Sequence, residues 1–300
     1  MVFDARKSIL LITTIAATVG LMAPAVVDAT AATMYWDCCK PSSSWAGKAP
    51  VTQPVAVCQA DGRTIVTGPR RDDSDSSGCG GGSEFQCSCQ QPWTDDVNPT
   101  IGYGFAAMTS MTEEENSCAC YVAEFEGAQT NKIQTLFYQV INIGGDVNSG
   151  GLDILVPGMG IGYQTKGCPV QWNTEISLWG KQYGGLDRDE AGCAHLPKDL
   201  QPGCMWRMKE WGNSVNMKGT PTRVRCSKAH IDRTGCQRKD EPALTFAAYL
   251  GSRKFDQRKA ADAEFGYIPD SAVCGIGGAS RSTGHRYLAK GHHQLSGHRH

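Results

Sequence analysis

The chain of 300 residues carries fourteen cysteines, an even number, and the earliest of them is Cys38. What precedes them reads as a leader. A basic start (Arg6, Lys7) is followed by an apolar run from Ile9 to about Leu21 and by small residues around Val27-Asp28-Ala29 and Ala29-Thr30-Ala31. This is the pattern of a secretory signal cleaved at Ala29 or Ala31, and the run falls short of the roughly 20 residues that span a bilayer. An even set of cysteines exported to an oxidising compartment predicts disulfides rather than thiols. Zinc is the competing use, because Cys87-Ser88-Cys89 and Cys118-Ala119-Cys120 place sulfurs close together. No Cys-x2-Cys pair recurs at finger spacing, so no metal is expected. The mature chain is expected to be secreted, soluble and heavily cross-linked, with its connectivity open at this point.

Removal of residues 1–31 leaves roughly 270, ample for a proper core. Twenty-nine basic residues against thirty acidic ones, mixed along the chain, give no reason to expect nucleic acid or an anionic membrane as partner. Alternation at 120–125, the β-rich stretch 136–143, the run 152–156 closed by Pro157-Gly158, and 222–226 all read as strands. Residues 187–195 and 205–211 read as the only short helices. The expected class is mainly β, with many loops held by bridges. The acidic, glycine-rich stretch 72–82 reads as an exposed loop, since its spacing does not fit a twelve-residue calcium loop. After Asp240 the composition turns to alanine and charge, then to Gly, Ser, Arg and His, with five of the seven histidines between His285 and His300. That extension, 241–300, is expected to be largely disordered, and the cysteine-rich folded domain is placed at 32–240.

Asp37 stands between Trp36 and two adjacent cysteines, so its backbone is expected to be immobilised by bridges and its carboxylate preorganised beside aromatics. Asp146, after Gly144-Gly145, and Asp153, before an apolar strand, form a second acidic group. Cleaving a glycosidic bond takes two carboxyl groups on opposite sides of the bond, one protonating the leaving oxygen and one acting on the anomeric side. Both are available here, although the same residues would equally serve as a turn cap and loop acids.

The string Tyr35-Trp36-Asp37-Cys38-Cys39-Lys40-Pro41-Ser42, continued by Trp45-Ala46-Gly47-Lys48-Ala49-Pro50-Val51, closely resembles the signature of glycoside hydrolase family 45 endoglucanases. The resemblance continues through Ser77-Gly78-Cys79, Gln91-Pro92-Trp93, Gly104-Phe105-Ala106-Ala107, Cys118-Ala119-Cys120-Tyr121, Gly144-Gly145-Asp146 and Asp153 with Pro157-Gly158. Tyr183-Gly184-Gly185, Pro202-Gly203-Cys204 and Arg233-Thr234-Gly235-Cys236 complete it. It implies a six-stranded double-psi β-barrel with long disulfide-linked loops and a few short helices. It also implies inverting hydrolysis of internal β-1,4 bonds of cellulose, without a cofactor, and nothing in it calls for more than a monomer.

Carried over by motif, Asp37 would be the general base and Asp153 the general acid, with Asp146 and Tyr35 assisting. Inversion would set the two catalytic carboxyls about 6.5–9.5 Å apart. Substrate contacts would come from Trp45, Thr33, Gly145, Tyr183 and Gly185. The implied bridges are Cys38–Cys168, Cys39–Cys79, Cys58–Cys87, Cys118–Cys236, Cys120–Cys226 and Cys193–Cys204, which leaves Cys89 and Cys274 without a family counterpart, to join the tail to the barrel, to stay as two separate thiols or to bridge to another chain. Ser43 and Ser117 stand where the family has a bridged pair of cysteines, so both ends of one bridge are missing together. The alternative class is the expansin-like and barwin-like proteins, which share the barrel and bind or loosen wall polysaccharide without hydrolysis. They lack the base that this chain supplies at Asp37.

Overall fold

Seven strands form one mixed sheet: β1 (Thr30–Tyr35), β2 (Trp93–Thr94), β3 (Ile101–Met108), β4 (Cys120–Gly127), β5 (Thr135–Asn142), β6 (Leu152–Leu155) and β7 (Val215–Val224). They are seen in a computed structural model that describes residues 30–67, 77–95, 98–108, 112–127, 132–144, 151–187, 189–212 and 215–252. The strand order is β2-β3-β5-β4-β7-β1-β6, and β6 also pairs with β3. Among the described residues, six short α-helices decorate the sheet: α1 (Glu113–Asn116), α2 (Gly167–Trp172), α3 (Glu190–His195), α4 (Gln201–Trp206), α5 (Lys228–Thr234) and α6 (Phe246–Ser252). The fold is therefore sheet-dominated with few helices.

Both faces of the central strands are covered, which is why β3 is buried along its whole length. One face carries Ala106, Met108, Tyr138, Val140, Leu152 and Ile154. The other carries Tyr103, Phe105, Phe137, Ile141 and Leu155, with Phe246, Tyr249 and Leu250 of α6 packed into the same cluster. Apolar residues on both faces give near-continuous hydrophobic runs instead of alternation.

Four expected strands appear with shifted ends, and β7 begins seven residues before the expected Thr222, with Gly219 in the left-handed region at φ +65°. Past Asp240, Arg225 N donates to Leu244 O at 2.8 Å and Cys226 N to Glu241 Oε2 at 3.2 Å, leading the chain into α6. Six disulfides lie among the described residues: Cys38–Cys168, Cys39–Cys79, Cys58–Cys87, Cys118–Cys236, Cys120–Cys226 and Cys193–Cys204. Cys89 is disulfide-bonded as well. Cys274 lies outside the described residues.

Candidate active site

Asp37 lies two residues past the end of β1, where the chain is fixed from several sides. Trp36 is 1 % exposed, and its N–H donates to Gly160 O at 2.8 Å. Cys38 takes a positive φ of 64° and is bridged to Cys168, while Cys39 is bridged to Cys79. The Cys39 N–H donates to Asp37 Oδ1 at 2.9 Å, so the half-buried carboxylate is held by the backbone of its own turn. On the far side sits Gly167, the first residue of α2. A Cβ there would meet Asp37 O at 2.2 Å and Cys79 Sγ at 2.3 Å, so the close approach of α2 to the Asp37 turn requires glycine.

Asp153 sits inside β6, where its neighbours follow from register. Thr33 of β1 lies beside it in the parallel ladder, and Ala107 of β3 faces it in the antiparallel one. Ala107 in turn pairs with Asn142 of β5. Thr33, Asp153, Ala107 and Asn142 thus form one row across four strands, and side chains in such a row share a face. That face is also the face of Tyr35, two residues on from Thr33. Asp153 is half-buried, with its Oδ1 shielded from solvent. Asp37 is four residues beyond Thr33, so the two aspartate backbones lie no more than about 15 Å apart.

Asn142 links this row to the Asp37 side. Its Nδ2 donates to Tyr35 Oη at 2.8 Å and its Oδ1 accepts from Ser42 N at 2.9 Å. Ser42 opens the turn Ser42–Ser44 that leads to Trp45. Trp45 is partly buried, and the ammonium of Lys40 lies 3.8 Å over its ring. Lys40 is in turn ion-paired to Glu84 at 2.5 Å, with both side chains fully buried.

Tyr183 is 66 % exposed, on a turn closed by the Lys181 and Gly185 backbone pair. The neighbouring turn carries Tyr163, 77 % exposed, and the two turns are joined by Gly162 N to Gln182 O and Gln182 Nε2 to Gly162 O, each 3.0 Å. Gly185 is the tightest point between them: at φ +63°, a Cβ would fall 2.0 Å from Gly158 O. Because Gly160 also accepts from Trp36, both tyrosine turns are tied to the residue that precedes Asp37.

Of the expected residues, the register brings Thr33, Tyr35 and Asp153 onto one face, and Trp45 joins them through Ser42. Gly145 and Asp146 lie outside the described residues. Sequence reasoning did not single out Asn142, Gly167, Ala107 or the Lys40–Glu84 pair, since each acts through contacts with segments remote in the chain. A glycine directly before a bridged cysteine was the one visible sign of Gly167.

Residues 29–237 match the family described as glycosyl hydrolase family 45. Endoglucanase 1 of Mycosarcoma maydis is 49% identical over 255 residues, covering 84% of this chain and 63% of its own, so the chain spans under two thirds of that relative. An endoglucanase of Cryptopygus antarcticus is 40% identical over 212 residues, covering 70% of this chain and 89% of its own. The crystal structure of the cellulase from the Antarctic springtail Cryptopygus antarcticus superposes with a TM-score of 0.61 at 37% identity, over 70% of this chain and 97% of that one. A match running from the strand beside Asp153 to the last bridged cysteine of the sheet admits one assignment: the chain belongs to glycosyl hydrolase family 45.

Proposed function

We propose that this protein is a secreted endo-β-1,4-glucanase that cleaves internal bonds of cellulose and related β-glucans with inversion. Asp37 acts as general base on a water, and Asp153 as general acid on the departing sugar oxygen. The single observation that carries the reading is the pairing of an Asp37 turn immobilised by two bridges with Asp153 in the row beside Thr33. A backbone span of about 15 Å or less is compatible with the carboxyl separation of about 6.5–9.5 Å that inversion needs.

The remaining roles follow the same frame. Tyr35 and Asp146 assist the acids. Trp45 offers a ring to a glucosyl face, with Lys40 occupying its other side, and Thr33, Gly145, Tyr183 and Gly185 supply further substrate contacts. The aromatic faces suit the axial C–H surface of a glucose ring. We further propose that β3, β5, β4, β7, β1 and β6 make a double-psi barrel. The return of the ladder from β6 to β3 supports it.

Secretion is supported by the disulfides, which need an oxidising compartment. The non-hydrolytic, wall-loosening alternative is set aside by Asp37. The test is the release of reducing ends from carboxymethyl-cellulose and swollen cellulose by the wild type, Asp37→Ala and Asp153→Ala. Wild-type release with loss in both variants is expected, and equal release by all three sinks the assignment. NMR of the first product should show the α-anomer. An initial β-anomer would rule out inversion.

A further inference from the structure

Asn142 stands on the site face because of one irregularity. Between Ala106 and Ala107 the β3–β5 register slips: Ala106 pairs with Val140, but Ala107 pairs with Asn142. Regular pairing would set Ile141 beside Ala107 and turn Asn142 to the opposite face; the extra residue re-aims it.

The direction of its hydrogen bonds is then fixed by chemistry. The Ser42 backbone N–H can only donate, so the group facing it at 2.9 Å is the Asn142 oxygen. The NH2 group must therefore face Tyr35 Oη at 2.8 Å, where it too can only donate. The Tyr35 hydroxyl accepts on that side, and its own proton points elsewhere. The Ile143 N–H returns to Ser42 Oγ at 3.0 Å, which locks the Asn142 end of β5 and the Ser42 turn to each other.

We propose that Asn142 is a positioning residue that holds Tyr35 as a hydrogen-bond donor toward an oxygen acceptor of the bound substrate or the site acids. The proposal rests on the hydrolytic reading of Asp37 and Asp153. Asn142 is given no reacting atom to touch; it sets the polarity of a hydroxyl on the strand face shared with Thr33 and Asp153. Ala107, a small residue, stands between Asn142 and Asp153 in the row.

Asn142→Asp is the sharp test, because it keeps an acceptor for Ser42 and replaces the donor with a carboxylate that captures the Tyr35 proton. On carboxymethyl-cellulose its kcat should fall on the order of 10- to 100-fold, with the melting temperature little changed. In a Tyr35→Phe background the same substitution should cost less than about twofold more, since the hydroxyl it acts through is gone. Losses that multiply in the double variant overturn the proposal. A second readout does not depend on turnover. Raman difference spectra against Tyr35→Phe isolate the Tyr35 ring doublet, whose intensity ratio reports whether the hydroxyl accepts or donates. The ratio should move toward donation in Asn142→Asp, and an unchanged ratio overturns the proposal. A Raman switch in a protein that releases no reducing ends would sink the glucanase reading and leave the polarity of Tyr35 standing.

Discussion

The ammonium of Lys40 and the carboxylate of Glu84 meet at 2.5 Å with neither side chain reaching solvent, and the same ammonium lies 3.8 Å over the ring of Trp45. A charge this deep is tolerable only while its partner remains. Lys40→Met should therefore cost about 3–5 kcal/mol in urea unfolding, and Lys40→Met with Glu84→Leu markedly less than the sum of the singles. Trp45 fluorescence should shift in the single variant as the ring loses its cation. Additive costs would show that the two side chains do not depend on each other.

Gly167→Ala tests the contact between α2 and the Asp37 turn. The added methyl would stand 2.2 Å from Asp37 O, so the turn or the helix must move. On the proposed role of Asp37, a displacement of about 1 Å of its carboxylate should lower kcat on the order of 100-fold while KM changes little. Unaltered kcat would mean that the turn relaxes without moving the carboxylate.

The pH dependence of stability is set partly far from the site, at His230. Its Nε2 faces the Gly104 carbonyl at 3.1 Å, so that nitrogen carries the proton and Nδ1 accepts from the Ser227 hydroxyl at 2.8 Å. Burial, reinforced by the charge of Arg233, pulls the His230 pKa from 6.5 down to about 3. Unfolded histidine takes up a proton near pH 6.5, and the folded one does not until about pH 3. Stability is thus full above the first value and is lost as pH falls toward the second, by up to ~1.4 kcal/mol per pH unit. Urea midpoints between those limits should show this slope in the wild type and a shallower one in His230→Gln. Identical slopes would remove His230 from the account.

Ser43 and Ser117 are both buried, and neither hydroxyl has a hydrogen-bond partner among the described residues. These are the two positions at which the motif resemblance implies a bridged cysteine pair. Ser43→Cys with Ser117→Cys should form a seventh bridge among the described residues, detectable by peptide mapping, and should add about 2–4 kcal/mol to unfolding. Two free thiols in the mapped variant would show that the loops have parted too far to be rejoined.

Much of this architecture could be read before any coordinates. The runs that became β4, β5 and β6 were visible because their apolar and β-branched residues sit between clear breakers, such as Pro157-Gly158 after β6. The first part of β7 was hidden, because Gly219 and Pro221 read as a turn yet sit in a strand. Helix α5 was overlooked even though it carries local signals: Ser227 caps its start and Gly235, at φ +68°, its end. At the site, the motif singled out Asp37 and Asp153 as the proposed acids, and the fold shows what holds their backbones in place. Asn142 was not legible, since it shares the face of Asp153 only through a register slip against a strand more than thirty residues earlier.

The adjacent cysteines after Asp37 have a consequence for how the protein matures. Cys38 reaches 130 residues ahead to Cys168 and Cys39 reaches 40 ahead to Cys79, so the nearer partner emerges from the ribosome long before the farther one. During that interval Cys79 is exposed to either of two neighbouring thiols, and choosing Cys38 would leave a misrouted chain with the Asp37 turn out of place. On the proposed reading, disulfide isomerisation then becomes the step that decides whether a molecule is active. The turnover number averaged over a preparation then counts the fraction of chains in which that one choice was made correctly.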